Sequence, residues 1–180
     1  MATNTLSIGS KIPAFKLKAV DGEIYSLDSF KDSKGLIIIF SCNHCPYVQA
    51  YEQRIILLQD DYRNKGISVI AINSNEDVNY PEDSFESMIK RAEEKKFNFI
   101  YLRDEDQSVA KAFDATHTPE IFLFNEKQKL VYHGKIDDNW QEPGKVVNHY
   151  LRNALGEMLT GKEISVPETY SIGCTIKWKN

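Results

Sequence analysis

The chain has 180 residues, enough to bury a substantial core and most simply organised as one domain. Hydrophobic residues make up 42% and charged residues 27%, with 9 Gly and 6 Pro, the balance of an ordinary soluble globular protein rather than a disordered or collagen-like chain. Lys and Arg number 22 against 26 Asp and Glu, so at a net charge of -4 there is no basic excess to neutralise a phosphate backbone, and nucleic acid is not an expected partner. The longest apolar run, Leu36 to Phe40, falls far short of the roughly 20 residues a spanning helix needs, so no membrane partner is expected either.

Met1 to Ser10 has no basic start, apolar stretch and small-residue cleavage site, so the chain reads as cytoplasmic. Phe15 to Val20 and Glu23 to Leu27 flank Asp21-Gly22, whose tolerance of positive φ suits a tight hairpin. Leu36 to Phe40 is apolar at every position and too short for a typical helix, which predicts a central strand covered on both faces. Val48, Tyr51, Ile55, Leu58 and Tyr62 recur at steps of three and four, predicting a helix with one buried stripe that stops at Gly66. Ile67 to Ile72 is a second β-branched strand, joined to the first by a parallel crossover.

Asn73 to Asp83 reads as a polar loop, and Phe85, Met88, Ile89 and Ala92 mark the next helix. Phe99 to Leu102 predicts a strand, Gln107 to Phe113 a short helix, and Ile121 to Phe124 with Leu130 to His133 a hairpin. Val147, Leu151, Ala154 and Met158 form a last helical stripe, and Thr175 to Trp178 a short terminal strand. Asp104-Glu105-Asp106 and Asp137-Asp138 lack the spacing of a calcium loop and read as solvated turns. The order of elements, with no internal repeat or linker, is that of one α/β domain with a mixed sheet.

Three cysteines are too few for a stapled scaffold, and two stand three residues apart in Cys42-Asn43-His44-Cys45-Pro46. This stretch follows the central strand and opens the first long helix, so Cys42 lies at the positive end of a helix dipole, where a thiolate is favoured. His44 adds a positive charge or hydrogen bond near the Cys42 sulfur and is expected to tune its pKa downward, with Cys45 the more buried thiol. Two thiols at this spacing supply a nucleophile and a resolving partner. Pro46 fits the first helical turn, where its missing N–H is not needed.

Several features together resemble the thioredoxin superfamily, in the branch joining redoxin and peroxiredoxin-like (AhpC/TSA-type) proteins with thiol:disulfide reductases that carry an N-terminal hairpin. They are Gly9-Ser10-Lys11-Ile12-Pro13-Ala14-Phe15, the Asp21-Gly22 hairpin, the strand before Cys42, the Cys42/Cys45 pair, and Thr118-Pro119 before a strand. The resemblance implies a thioredoxin-like fold over residues 1–180, with 1–34 as the hairpin extension and 165–180 as a C-terminal tail. It also implies that Pro119 is a cis-proline beside the active disulfide and that Thr118 offers backbone groups to an extended substrate, X-Pro being the one bond where cis is cheap.

Three departures shape the expected chemistry. The strand before Cys42 has no carboxylate, so proton transfer must come from elsewhere. His44 before the second cysteine is similar to disulfide isomerases and oxidases of less negative potential. When aligned on Cys45, the chain has Cys42 where peroxiredoxins carry Thr, which favours dithiol exchange over a dedicated peroxidase.

The expected function is therefore a thiol:disulfide oxidoreductase. Cys42 attacks a protein or small-molecule disulfide, Cys45 resolves the mixed disulfide, and a separate thiol donor system regenerates the dithiol, with peroxide reduction as a subsidiary antioxidant activity. No cofactor beyond the Cys42–Cys45 disulfide is expected. Cys174 is either a free tail thiol or a relay or resolving thiol. His117 beside Thr118 is a secondary candidate, and Tyr47 and Trp140 are candidates for an apolar rim. The alternative from another class is a metal-binding or metallochaperone module using Cys42, Cys45 and His117 for a soft ion such as Cu(I).

Overall fold

A computed structural model describes residues 6–180. β1 (Lys16–Ala19) and β2 (Ile24–Ser26) form the N-terminal hairpin, turning at Gly22, whose φ of 88° lies in the left-handed region open to glycine. β3 (Gly35–Ser41) is buried at all seven positions. It leads into α1 (Pro46–Arg63), then β4 (Ile67–Asn73), α2 (Phe85–Lys95), β5 (Ile100–Arg103) and α3 (Ser108–Phe113). The short β6 (His117–Thr118) precedes the hairpin β7 (Glu120–Asn125) and β8 (Leu130–Gly134), followed by α4 (Tyr150–Leu159) and β9 (Cys174–Thr175).

Seven strands lie in the order β2-β1-β5-β4-β3-β7-β8, while β6 and β9 form a separate two-stranded sheet. β3, β4 and β5 run parallel and the outer pairings are antiparallel, so the sheet is mixed and β3 lies near its middle. The N-terminal hairpin extends the sheet by pairing β1 against β5, with Lys18 opposite Arg103 and Ala19 opposite Leu102.

The uniform burial of β3 has a simple cause: its alternate side chains feed two separate cores. Ile37 and Ile39 pack with Tyr51, Ile55 and Leu58 of α1 and Leu151 of α4. Leu36, Ile38 and Phe40 pack on the opposite face with Phe113, Phe122 and Phe124. Pro46 starts α1 directly after Cys45, and Gly66, at φ 80°, lets the chain turn back into β4.

Several local expectations shift. Val147 is 79% exposed and lies outside the last helix, because Asp138 accepts the backbone N–H groups of Val147 and Asn148 (3.0 and 2.9 Å) and holds them in a loop. The terminal strand is confined to Cys174–Thr175, since the Lys177 backbone bonds to Asn75 and Glu76 instead of a strand partner. Asp104 and Asp137 are buried rather than solvated. Asp104 caps α3 by accepting the Ala110 N–H (2.9 Å), and Asp137 accepts the Tyr51 hydroxyl and Arg54 (both 2.7 Å). Among the described residues no helix is long and apolar enough to cross a membrane.

Candidate active site

Cys42 leaves the C-terminal end of β3 and Cys45 is the N-cap of α1, so parallel sheet and helix together fix the spacing of the two sulfurs. Both are buried, at 2% and 0% exposure, with Cys45 the more deeply covered. The Thr118-Pro119 peptide is cis and closes over them. Thr118 Oγ1 is 3.4 Å from Cys42 Sγ, and its carbonyl accepts from Cys45 Sγ at 3.4 Å. Cys174 completes the cluster from β9, its Sγ 2.8 Å from that of Cys45, and none of the three is in a disulfide.

The edge of Thr118, which the resemblance assigns to an extended substrate, is taken by the chain itself: Thr118 pairs with Cys174 and His117 with Thr175. Glu120 braces this corner from beneath. Its carboxylate accepts the backbone N–H groups of Thr116 (2.7 Å) and His117 (3.0 Å) and meets His133 Nε2 at 2.7 Å. Its carboxyl is buried, which would raise its pKa, yet the His133 and two backbone donors outweigh that and hold it below the ordinary carboxylate value.

A carboxylate does reach the dithiol, from the loop after β4. Asp83 is fully buried; its Oδ1 accepts the Asn43 N–H (2.6 Å) and Asn73 Nδ2 (3.2 Å), and its Oδ2 accepts Asn75 Nδ2 (3.0 Å) and His44 Nδ1. The Tyr101 hydroxyl donates to Asn43 Oδ1 at 2.8 Å, so residues from β4, β5 and the intervening loop lock the 42–45 turn. His44 stacks on Tyr80 with ring centroids 5.2 Å apart. Sequence reasoning missed Asp83 because the segment looked like an ordinary polar loop. The signal was its place beyond the carboxyl end of a central parallel strand, where open α/β sheets build their sites.

These contacts change the expected distribution of charge. Cys42 is raised, first because its thiol donates to Cys45, then by burial and by the Asp83 carboxylate beside it. Cys45 is lowered because it collects hydrogen bonds from Cys42, Cys174 and the Val48 and Cys174 backbones. Burial and the Cys45 sulfur raise Cys174. The hydrogen bonding thus favours negative charge on Cys45 over Cys42, and the Cys42–Cys45 hydrogen bond, burial and Asp83 oppose the helix-start advantage expected for Cys42.

Cys42 Sγ, a ring nitrogen of His44 and an Asp83 oxygen lie within 4.8 Å of one another, a donor set of the kind that holds a divalent ion. His117 is not part of it: its Nδ1 meets Thr116 Oγ1 at 2.8 Å. Tyr47 packs against the cysteine cluster and against Trp140 at 4.3 Å between centroids. On the other side a cleft of about 380 Å³ opens beside Asn43 and His44, with Lys90, Arg91 and Glu94 on its wall.

A mixed sheet with a cysteine pair at the strand-to-helix junction beside a cis-proline defines a thioredoxin-like fold. The Redoxin family model matches residues 7–149, and the chain belongs to that family. It is 25% identical over 123 residues to the thiol-disulfide oxidoreductase ResA of Halalkalibacterium halodurans, covering 68% of this chain and 65% of that protein. It is 30% identical over 112 residues to peroxiredoxin Bcp of Escherichia coli, covering 61% of this chain and 65% of that protein. The matched segments thus span just under two thirds of each relative.

An uncharacterised conserved protein from Geobacillus kaustophilus, known as a crystal structure, superposes with a TM-score of 0.92 at 43% identity, covering 98% of this chain and 94% of that one. The thioredoxin domain of a thiol-disulfide oxidoreductase from Bacteroides vulgatus shares the fold at a TM-score of 0.60 and 21% identity, over 72% of this chain and 89% of that one.

Proposed function

We propose that the protein exchanges electrons between a Cys42/Cys45 dithiol and disulfide substrates. What carries the reading is the pair of buried sulfurs at the β3–α1 junction, set against Thr118 and the cis-proline. As Cys42 attacks a substrate disulfide, its proton passes to a Cys45 thiolate, a mixed disulfide forms, and one substrate thiolate leaves. Cys45 then gives up that proton and attacks Cys42 Sγ, and the second substrate sulfur leaves with the proton as a thiol, so the substrate gains two electrons and the dithiol becomes a disulfide. A thiol donor resets it. His44 and Asp83 act as positioning groups that hold the turn and keep negative charge beside Cys42.

Because β9 covers the Thr118 edge, a small disulfide, or a protein disulfide presented between the Tyr47/Trp140 rim and the His44 cleft, suits the site better than a long extended peptide. The odd, small cysteine count suits a reducing compartment such as the cytoplasm. Peroxide reduction is a subsidiary activity of the same sulfurs, since a sulfenic acid on one condenses with the other. The proposal is tested by glutathione redox titration with mass mapping and by two variants: Cys42→Ser loses most of the exchange rate with substrate and Cys45→Ser traps a mixed disulfide. Full exchange activity in Cys42→Ser overturns it. A second reading, a divalent-metal site, is favoured by the Cys42, His44 and Asp83 donor set, and stoichiometric metal in the purified protein that is lost in His44→Ala would support it.

A further inference from the structure

We propose that Cys174 is a third redox thiol, held on Cys45 by the C-terminal segment, so that an oxidising equivalent passes between a Cys42–Cys45 and a Cys45–Cys174 disulfide. This deepens the dithiol reading and rests on it. The two sulfurs are 129 positions apart in the chain yet 2.8 Å apart in space, under about 1 Å more than a covalent S–S bond.

The segment that brings them together is built into the fold. Cys174 and Thr175 pair with Thr118 and His117, and the Ile176 N–H donates to Thr116 O at 2.9 Å. Ile176 is 3% exposed in the core that holds Phe113. Lys177 is held at both backbone groups, its N–H donating to Asn75 Oδ1 (2.9 Å) and its carbonyl accepting from Gln107 Nε2 (2.8 Å). Gly173 passes so close that a Cβ there would meet Thr118 O at 2.0 Å, so this approach demands glycine.

Cys45 lies between two sulfur partners. In the oxidised pair, the Cys174 thiolate attacks Cys45 Sγ; the Cys42–Cys45 bond breaks, the Cys45–Cys174 bond forms, and the proton of Cys174 ends on Cys42. No electrons enter or leave, so no co-reactant is needed. Cys174 rises in the reduced site through burial and the Cys45 charge. Disulfide formation at Cys45 removes that charge and leaves the nearby Lys177, which favours the attacking thiolate. Cys174 is also the most exposed of the three, so the exchange carries the equivalent from two hidden sulfurs to one that a donor thiol can reach.

The test equilibrates the protein and its Cys42→Ser and Cys174→Ser variants in stepped glutathione buffers, quenches with acid, alkylates, and maps disulfides by mass spectrometry. The expected result is a Cys45–Cys174 disulfide within one chain in Cys42→Ser, and both disulfide isomers in the wild type with loss of alkylatable Cys174. The proposal is overturned if folded Cys42→Ser carries Cys45 and Cys174 only as free thiols, as glutathione adducts or in a bond between two chains, under conditions that oxidise the wild type. If Cys42→Ser does not fold, the wild-type map decides, and a Cys174 that stays a free thiol throughout the titration overturns it. Cys174→Ser reports on the Cys42–Cys45 disulfide alone, so failure of the dithiol reading shows there and not in the Cys45–Cys174 map.

Discussion

Replacing Asp83 by Asn removes one buried charge and keeps the shape, and both consequences can be sized. Each Asp83 oxygen accepts two donors, Asn43 N–H and Asn73 Nδ2 on one, His44 Nδ1 and Asn75 Nδ2 on the other. With its NH2 toward Asn43 N–H and Asn73 the new amide loses two hydrogen bonds to a charged group, and toward Asn75 and His44, whose Nδ1 can accept in its other tautomer, it loses at least one, at about 1.5–3 kcal/mol each. Relief from burying a charge offsets part of this, leaving a cost of up to about 3 kcal/mol, which a domain with the usual 5–15 kcal/mol of stability survives. The electrostatic effect is on Cys42, whose sulfur lies within 4.8 Å of the carboxylate. At an effective dielectric of about 20 a unit pair at that separation interacts by roughly 3.5 kcal/mol, or about two to three pKa units. The carboxylate raises Cys42, so its removal lowers it. The assay is the pH dependence of Cys42 alkylation in a Cys45→Ser/Cys174→Ser background, where no other thiol competes. A midpoint about two units lower in Asp83→Asn is expected; a midpoint unmoved in a folded variant would refute the role given to Asp83.

Three further outcomes follow from the same geometry. Glu120 is held below its ordinary pKa, so its contribution to stability is present above the unfolded carboxylate value near pH 4.3 and is lost as pH falls through the lower folded value. The melting-temperature gap between wild type and Glu120→Gln should therefore shrink between about pH 5 and pH 2, and a gap constant with pH would contradict the assignment. Phe113, 1% exposed with Phe40, Phe122 and Phe124 edge-on around it, should cost about 3–5 kcal/mol as Ala in denaturant unfolding, and a loss under about 1 kcal/mol would show that the site collapses around the cavity. Gly173→Ala should push the C-terminal segment off Thr118 and speed alkylation of Cys174, read by timed mass mapping; an unchanged rate would mean the backbone shifts to admit the methyl.

Local pattern carried much of the architecture. The all-apolar run of β3, the three-and-four stripe of α1, the Asp21-Gly22 turn and the Cys-x-x-Cys at a strand-to-helix junction are each decided by neighbours in sequence, and each is where the sequence puts it. The order of these elements also foretold the mixed sheet, and the redoxin resemblance agrees with a family model that matches residues 7–149. What the chain could not reveal on its own is which distant groups meet. Asp83 from the loop after β4 and Cys174 from the last strand reach the dithiol only because parallel β3 and β4 end at the same edge and the terminal segment returns to pair with Thr118. The electrostatics of the cysteines follow from those meetings. Dipole and motif alone favour a thiolate on Cys42, whereas its hydrogen bond to Cys45, burial and the carboxylate beside it raise Cys42 and the bonds converging on Cys45 lower that sulfur instead. Pairwise energies of this kind depend on distance and on exclusion of water, two quantities set by tertiary packing and absent from any local stretch of sequence.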